Sequence, residues 1–298
     1  MIKVLYLAYW GALEPLGQSL VVPAVIRLAR MGAEITLVTF EKPSDLAKEK
    51  EVKHLQLMLK DAGIRWIALQ YHKRPRLPAT AFDVAHGIAR GIQTRINKRF
   101  DIVHARTYLG GLVGLFLAPL IGAKFVYHNE GFYPDEQVDG GILAKDSRMH
   151  RAANRLENLM CSRADGIIAL SFRAKAIIET IPKVSRKKTP VIVVPSCVDL
   201  ERFKFPATKP KFSEDEVKLV YIGSVGDRYI TDKMGAFVAA AQKTDPKVKL
   251  QIYSKADTGL ITTMLDAGGL KREVWTLNAV AYNEMPSYLV NHQAGLSF

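Results

Sequence analysis

Residues 3–40 read KVLYLAYWGALEPLGQSLVVPAVIRLARMGAEITLVTF, and this stretch decides the fold class. KVLYLAY is an apolar run of strand-forming residues. In GQSLVVPAVIRLARMG, Leu20, Ala24, Val25, Leu28 and Ala29 recur at helical spacing, and Gly32 stands where that helix should end. EITLVTF at 34–40 is a second apolar strand. Two nearly continuous apolar strands around one helix predict a parallel pair buried on both faces.

The alternation continues outward from this unit. A charged helix is expected from about Ser44, with Ser44 as its N-cap. IRWIALQ at 64–70 reads as a strand, 80–99 as a helix, DIVHA at 101–105 as a strand, 109–121 as an apolar helix and KFVYH at 124–128 as a strand. Residues 129–141, rich in Gly, Pro and Asp, read as a loop. A helix at 146–163, the strand GIIAL, a short helix capped by Ser171 and PVIVVP at 190–195 follow. FPATKPKFSED at 205–215 has the composition of a linker. The pattern then restarts with VKLVYIGS, and VKLQIYS, EVWTLNAV and AGLSF alternate with three helical stretches.

These readings predict an α/β protein of two Rossmann-like, doubly wound domains. The first covers 1–204 and the second 216–298, joined near 196–215 with a cleft between them. The second is expected to be incomplete, because the chain stops inside an apolar strand at Phe298.

Composition narrows the function. The 42 Lys and Arg against 29 Asp and Glu leave a net charge of +13. They are scattered, as in KRPR at 73–76, INKR at 96–99 and SRKK at 185–188, and not interleaved with aromatics in one stripe, so nucleic acid is not an expected partner. A phosphorylated small substrate, an anionic membrane surface and plain solvation remain open. Two cysteines, Cys161 and Cys197, exclude a disulfide framework and suit a reducing compartment. The N-terminus reads as a strand and not a signal peptide, so the expected location is cytoplasmic, extending to the inner membrane face. LGGLVGLFLAPLIGA at 109–123 is short for a bilayer span and reads as a helix covering a sheet.

Ligands of open parallel sheets bind beyond the carboxyl ends of the strands. The loop WGALEPLGQS sets Gly11 and Gly17 before a helix N-terminus, which suits an anion or simply a tight turn. After LVYIG, Gly223, Ser224 and Gly226 precede Arg228 and Lys233, a glycine turn with two cations suited to a diphosphate. His128 ends the fifth strand, facing a cleft, followed by Glu130 and by Phe132 and Tyr133 as sugar-stacking faces. His104 and Arg106 hold the same place on the preceding strand. No Walker A, nucleophile elbow, kinase or zinc pattern occurs, and no metal site or cofactor is expected.

Taken together, EPLGQS, VPAVIRLARMGAEITLVTFE, DIVHARTY, GFYPDEQVDGG, VVPSCVDLERF and LVYIGSVG resemble a branch of glycosyltransferase family 4, of the GT-B type, along essentially the whole chain. The resemblance implies two facing Rossmann-like domains, the acceptor held by the first and a nucleotide-sugar donor mainly by the second. It implies retention at the anomeric carbon without a metal, and a saccharide or lipid-linked acceptor. Gly17 then matches the glycine loop near the donor phosphates, and His128 the active-site histidine. Arg228 and Lys233 match the basic pair on the diphosphate. The chain departs at Glu130, where the branch commonly has arginine, and at Ser196-Cys197, where Asn-Gly is usual. The donor-binding glutamate motif is expected beyond Phe298. A nucleotide-sugar epimerase or hydrolase on the same scaffold, or a non-catalytic module binding nucleotide sugar or a membrane surface, are the alternatives.

Overall fold

The computed structural model describes residues 1–204, 206–208, 210–226, 229–282 and 284–297, the side chain of Asn97 apart. Arg228, expected at the donor diphosphate, lies outside the described residues. The chain divides into two units, Met1–Val198 and Asp199–Phe298.

In the first unit the elements run β1 (Lys3–Ala8), α1 (Val22–Arg30), β2 (Glu34–Glu41), α2 (Pro43–Leu46), α3 (Glu49–Asp61), β3 (Arg65–Gln70), α4 (Arg76–Asn97), β4 (Ile102–Arg106), α5 (Thr107–Ile121), β5 (Lys124–Asn129), α6 (Tyr133–Asp139), α7 (Arg148–Arg163), β6 (Gly166–Ala169), α8 (Phe172–Glu179), α9 (Pro182–Lys187) and β7 (Val191–Val193). The seven strands form one parallel sheet in the order β3-β2-β1-β4-β5-β6-β7. The order reverses between β1 and β4, which makes that edge the topological switch point.

Each face of the sheet buries its own core. Leu5, Leu7, Val103, Ala105 and Tyr127 pack under α5 and α7, while Val4, Tyr6, Ala8, Ile35 and Leu37 pack under α1 and α3. The apolar stretch at 109–123 is the buried helix α5, with nine buried positions. Among the described residues no helix is long and apolar enough to cross a membrane.

Two local expectations are corrected. Ser44 is not an N-cap: it lies inside α2, with Lys42 at the cap and Pro43 opening the helix, and a separate helix begins at Glu49. The 129–141 loop contains α6, because Pro134 suits a first helical turn and Asp135 and Glu136 favour its positive end.

In the second unit β8 (Val217–Ile222), α10 (Asp232–Thr244), β9 (Val248–Tyr253), α11 (Thr258–Ala267), β10 (Trp275–Asn278), α12 (Met285–Leu289) and β11 (Ala294–Leu296) follow. Their four strands form a separate parallel sheet, β10-β9-β8-β11, over a core centred on Leu250, Ile252, Leu265 and Trp275.

Candidate active site

Arg106 stands opposite His128 in the β4–β5 register, and Ala8 opposite Arg106 in the β1–β4 register. All three lie at or next to the carboxyl ends of their strands. The two-residue side-chain period puts His104 on the same face as Arg106. His104 Nε2 lies 3.3 Å from His128 Nδ1, and the Tyr6 ring packs 4.3 Å from the His104 ring. Glu130, one residue beyond β5, forms a buried ion pair with Arg106, whose Nη1 also donates to the Leu20 carbonyl at 3.4 Å.

Burial, helped by the positive charge of Arg106 and by His104, pushes the His128 pKa down to about 2. Burial and Arg106 push His104 to about 3. Both imidazoles are therefore neutral at physiological pH. One ring donates a proton to the other, and the remaining nitrogen of His128, Nε2, is buried without a protein partner. Arg106 Nε and Glu130 Oε2 are buried and unpartnered as well. Burial raises the pKa of Glu130 and Arg106 opposes that rise. Buried polar atoms without partners are uncommon and point to a functional role when they cluster.

Thr107 continues this edge. Its φ of +69° is unusual for a β-branched residue, and its hydroxyl is also buried without a partner.

The loop after β1 is organised by Glu41, at the carboxyl end of β2. The fully buried Glu41 carboxylate accepts from the Ala12 and Leu13 N–H groups at 2.7 and 3.2 Å and from the Thr39 hydroxyl at 2.5 Å. Burial raises its pKa against these bonds. A Cβ on Gly11 would sit 2.4 Å from Glu41 Oε2, and one on Gly17 would sit 2.0 Å from the Gly11 carbonyl oxygen. Both glycines are thus required by packing inside the loop. Two of the N–H groups that an anion could have used are already occupied by Glu41.

Phe132 and Tyr133 are drawn inward more than the sequence suggested. Phe132 packs against the core beneath α5, and Tyr133 stacks on Tyr108 with ring centroids 4.9 Å apart. One face of Tyr133 is therefore taken before any sugar arrives. The Tyr133 N–H bonds the buried carboxyl of Glu157, which burial raises to about pKa 8, with Asp135 and Glu136 adding to the rise. Glu157 is thus largely protonated at neutral pH.

A polar cluster that the sequence did not reveal stands two residues beyond β3. The fully buried Asp83, on α4, accepts from the Tyr9 hydroxyl at 3.0 Å and the His72 N–H at 3.0 Å, and its other oxygen lies 2.6 Å from His72 Nδ1. Asp83 therefore orients a half-exposed imidazole at the carboxyl edge. The signal was hidden because Asp83 sits mid-helix, 11 residues from its partner.

In the second unit, Gly223 follows β8 and donates to the Tyr253 carbonyl at 3.2 Å. Gly226 has a φ of +86°, which favours glycine, and its N–H bonds the Thr231 hydroxyl at 3.0 Å. Lys233 lies in the first turn of α10, exposed, with its Nζ 3.3 Å from Asp232.

The family model described as Glycosyltransferase Family 4 matches residues 21–202, more than half of the chain. The chain belongs to glycosyltransferase family 4. A search of curated proteins finds no match. Among solved structures, this family member is similar to HepE of Anabaena, solved with UDP and glucose, at 15% identity and a TM-score of 0.63, covering 100% of this chain and 74% of that one. It is similar to sucrose-phosphate synthase of Thermosynechococcus elongatus at 15% identity and a TM-score of 0.67, covering 99% and 75%. It is also similar to a UDP-N-acetylglucosamine 2-epimerase from Listeria monocytogenes, described as putative, at 14% identity and a TM-score of 0.58, covering 94% and 69%. At such identities these likenesses establish the GT-B fold. The family establishes an enzyme of glycosyl transfer.

In this glycosyltransferase, Arg106, His128 and Glu130 come together as one constellation, joined by His104 and Thr107. Gly223 and Lys233 belong to the second unit.

Proposed function

We propose that this glycosyltransferase moves a sugar from a nucleotide-sugar donor to a saccharide or lipid-linked acceptor, with retention and without a metal or cofactor. The first unit takes the acceptor and the second the donor. The observation that carries this reading is the neutral, buried His128 at the carboxyl edge of β5, with Nε2 unpartnered. A neutral imidazole can bond a sugar hydroxyl without introducing a charge that would repel an oxocarbenium-like centre. Arg106 beside it is paired with Glu130, which offsets its charge.

Transfer releases a nucleoside diphosphate, whose negative charge grows as the glycosidic bond breaks. Fixed cations and oriented N–H groups stabilise such charge without reorganising. Arg228, Lys233 and the Gly223 turn are assigned that role in the second unit. Arg106 and Glu130 are assigned to orienting the sugar and Phe132 and the free face of Tyr133 to contacting the acceptor. The site of action is the cytoplasm, at an anionic membrane face when the acceptor is lipid-linked. The binding of UDP and glucose by HepE supports a nucleotide-sugar donor, although that binding belongs to HepE itself.

The test is release of nucleoside diphosphate from a panel of UDP- and GDP-sugars, with and without saccharide and lipid-linked acceptors. Product configuration would be read by NMR, and a parallel series would contain a chelator. Acceptor-dependent release, retained configuration and indifference to chelator are expected. Inverted product or loss of activity with chelator overturns the mechanism, and donor epimerised without acceptor overturns transfer. His128→Ala should lower kcat by about ten- to hundredfold, the effect of losing one buried hydrogen bond of about 1–3 kcal/mol.

A further inference from the structure

Exposed aromatic rings gather at one edge of the first unit. Of its four exposed Phe, Trp and Tyr residues, Trp10, Phe82, Phe116 and Phe172, three lie at the carboxyl edge of the sheet. Trp10 stands two residues beyond β1 and is 37% exposed, and Phe172 stands three residues beyond β6. Phe82 belongs to α4, but its ring is perpendicular to that of His72, two residues beyond β3, with centroids 5.1 Å apart. It remains 55% exposed. Tyr133, after β5, adds the face that Tyr108 leaves free. In the strand order β3-β2-β1-β4-β5, Phe82, Trp10 and Tyr133 therefore stand two strands apart, about 10 Å for each interval at roughly 4.8 Å between strands.

Polar groups accompany these rings. The buried Asp83 accepts from the Tyr9 hydroxyl and the His72 N–H, which is enough to hold the chain. Its contact with Nδ1 does something more: it fixes a half-exposed imidazole beside Phe82, and Nε2 of that ring has no partner among the described residues. Arg76 crosses the same edge. Its Nη2 donates to the Gln137 Oε1 at 2.8 Å, which links the start of α4 to α6, the helix that Tyr133 opens. The rest of this exposed guanidinium bonds no described residue and has donors to spare. A ring against the C–H face of a sugar, next to a fixed polar group for its hydroxyls, is a pairing that binds saccharide: the ring gives area and the polar group gives orientation.

We propose that this edge is an extended acceptor track: an oligosaccharide lies from His128 and Tyr133 past Trp10 to Phe82 and His72, so the acceptor is a chain of several sugars and not a single one. Four strand steps separate β5 from β3, about 19 Å, which is more than one pyranose ring can span. The reacting hydroxyl belongs at the His128 end, where the unpartnered His128 Nε2, Arg106 Nε and Glu130 Oε2 cluster. Trp10 holds the middle of the chain, and Phe82 with His72 its far end. Phe172 lies on the other side of β5, outside the track. A protein partner suits the edge less well, because the rings stand apart with polar groups between them and do not merge into one apolar patch. The inference deepens the acceptor side of the proposed function and rests on that reading.

The experiment measures binding of the whole chain to an array of glucose, galactose, mannose and N-acetylglucosamine oligosaccharides of one to six units. Affinity is expected to rise with length in at least one series and then level off. Trp10→Ala and Phe82→Ala should weaken the longest bound member at least tenfold and leave a disaccharide of the same series unchanged. Both side chains are exposed, so the Tm of each variant should match the parent, which separates lost binding from lost folding. Phe116→Ala is the control: it removes an exposed ring nine residues into α5, about 14 Å along the helix from this edge, and should bind as the parent does. No binding in any series, affinity independent of length in all of them, or Trp10→Ala and Phe82→Ala binding the long chain as the parent does each overturn the proposal. A monosaccharide acceptor used as efficiently as its tetrasaccharide overturns it too, while leaving glycosyl transfer standing. Donor epimerised without any acceptor removes the reading beneath it and the track together.

Discussion

Arg106 and His128 are register partners in adjacent parallel strands, so the guanidinium and the imidazole share one face at the carboxyl edge of the sheet. The charge of Arg106, after burial itself, holds His128 neutral. Glu130 neutralises Arg106 in turn. Removing Arg106 alone should leave Glu130 buried and unpaired, at a cost of about 3–5 kcal/mol. The double variant Arg106→Met with Glu130→Gln should recover most of that loss in a denaturant titration. A single variant as stable as the parent would show that the pair is not buried in solution.

Acid should destabilise the first unit. His104 and His128 have folded-state pKa values near 3 and 2, below their ordinary value of 6.5. Their contribution is present in full above the unfolded value and is lost as pH falls through the window from 6.5 toward those folded values. Each can contribute a slope of up to about 1.4 kcal/mol per pH unit. The His128→Asn variant should show a shallower loss of stability between pH 6 and pH 4, read by urea titration at each pH. An unchanged slope would mean that His128 protonates in the folded state.

Glu157 should act in the opposite direction. Its folded-state pKa of about 8 lies above its ordinary value of 4.5. Its stabilising effect is complete below the unfolded value and is lost as pH rises through the folded one. Glu157→Gln keeps the neutral shape and the Tyr133 N–H acceptor, so it should raise the Tm relative to the parent by an amount that grows from pH 5 to pH 8. A constant difference across that range would exclude titration of Glu157 as the cause.

Gly17→Ala tests loop packing against phosphate contact. The added methyl would meet the Gly11 carbonyl at 2.0 Å. A stability loss of about 1–3 kcal/mol is expected from overpacking, whether or not nucleotide is present. A variant of unchanged Tm but weakened UDP binding would move the glycine's role to the ligand.

Lys233→Ala should weaken UDP binding in calorimetry by about tenfold or more, since a charge-assisted hydrogen bond is worth about 1.5–3 kcal/mol. Lys243→Ala is the control. It lies ten residues along the same helix, about 15 Å away, beyond the Debye length of about 8 Å in physiological salt. Equal affinities for the two variants would remove Lys233 from the donor site.

Hydrophobic periodicity is a local property, so it was readable in the sequence: the alternation of strands and helices, the restart at Val217, and the placement of His128 and Arg106 at strand ends. Glycine turns were visible too, but not their cause, because Gly11 and Gly17 are required by contacts with Glu41 and with each other across the loop. Strand order and register are non-local, and only they put His104, Arg106 and His128 side by side. Burial is likewise a tertiary quantity. It makes both histidines neutral, protonates Glu157 and hides Asp83 behind His72 and Tyr9. A side chain's type can be read residue by residue, but its charge state and its partner depend on which distant segments the folded chain brings against it.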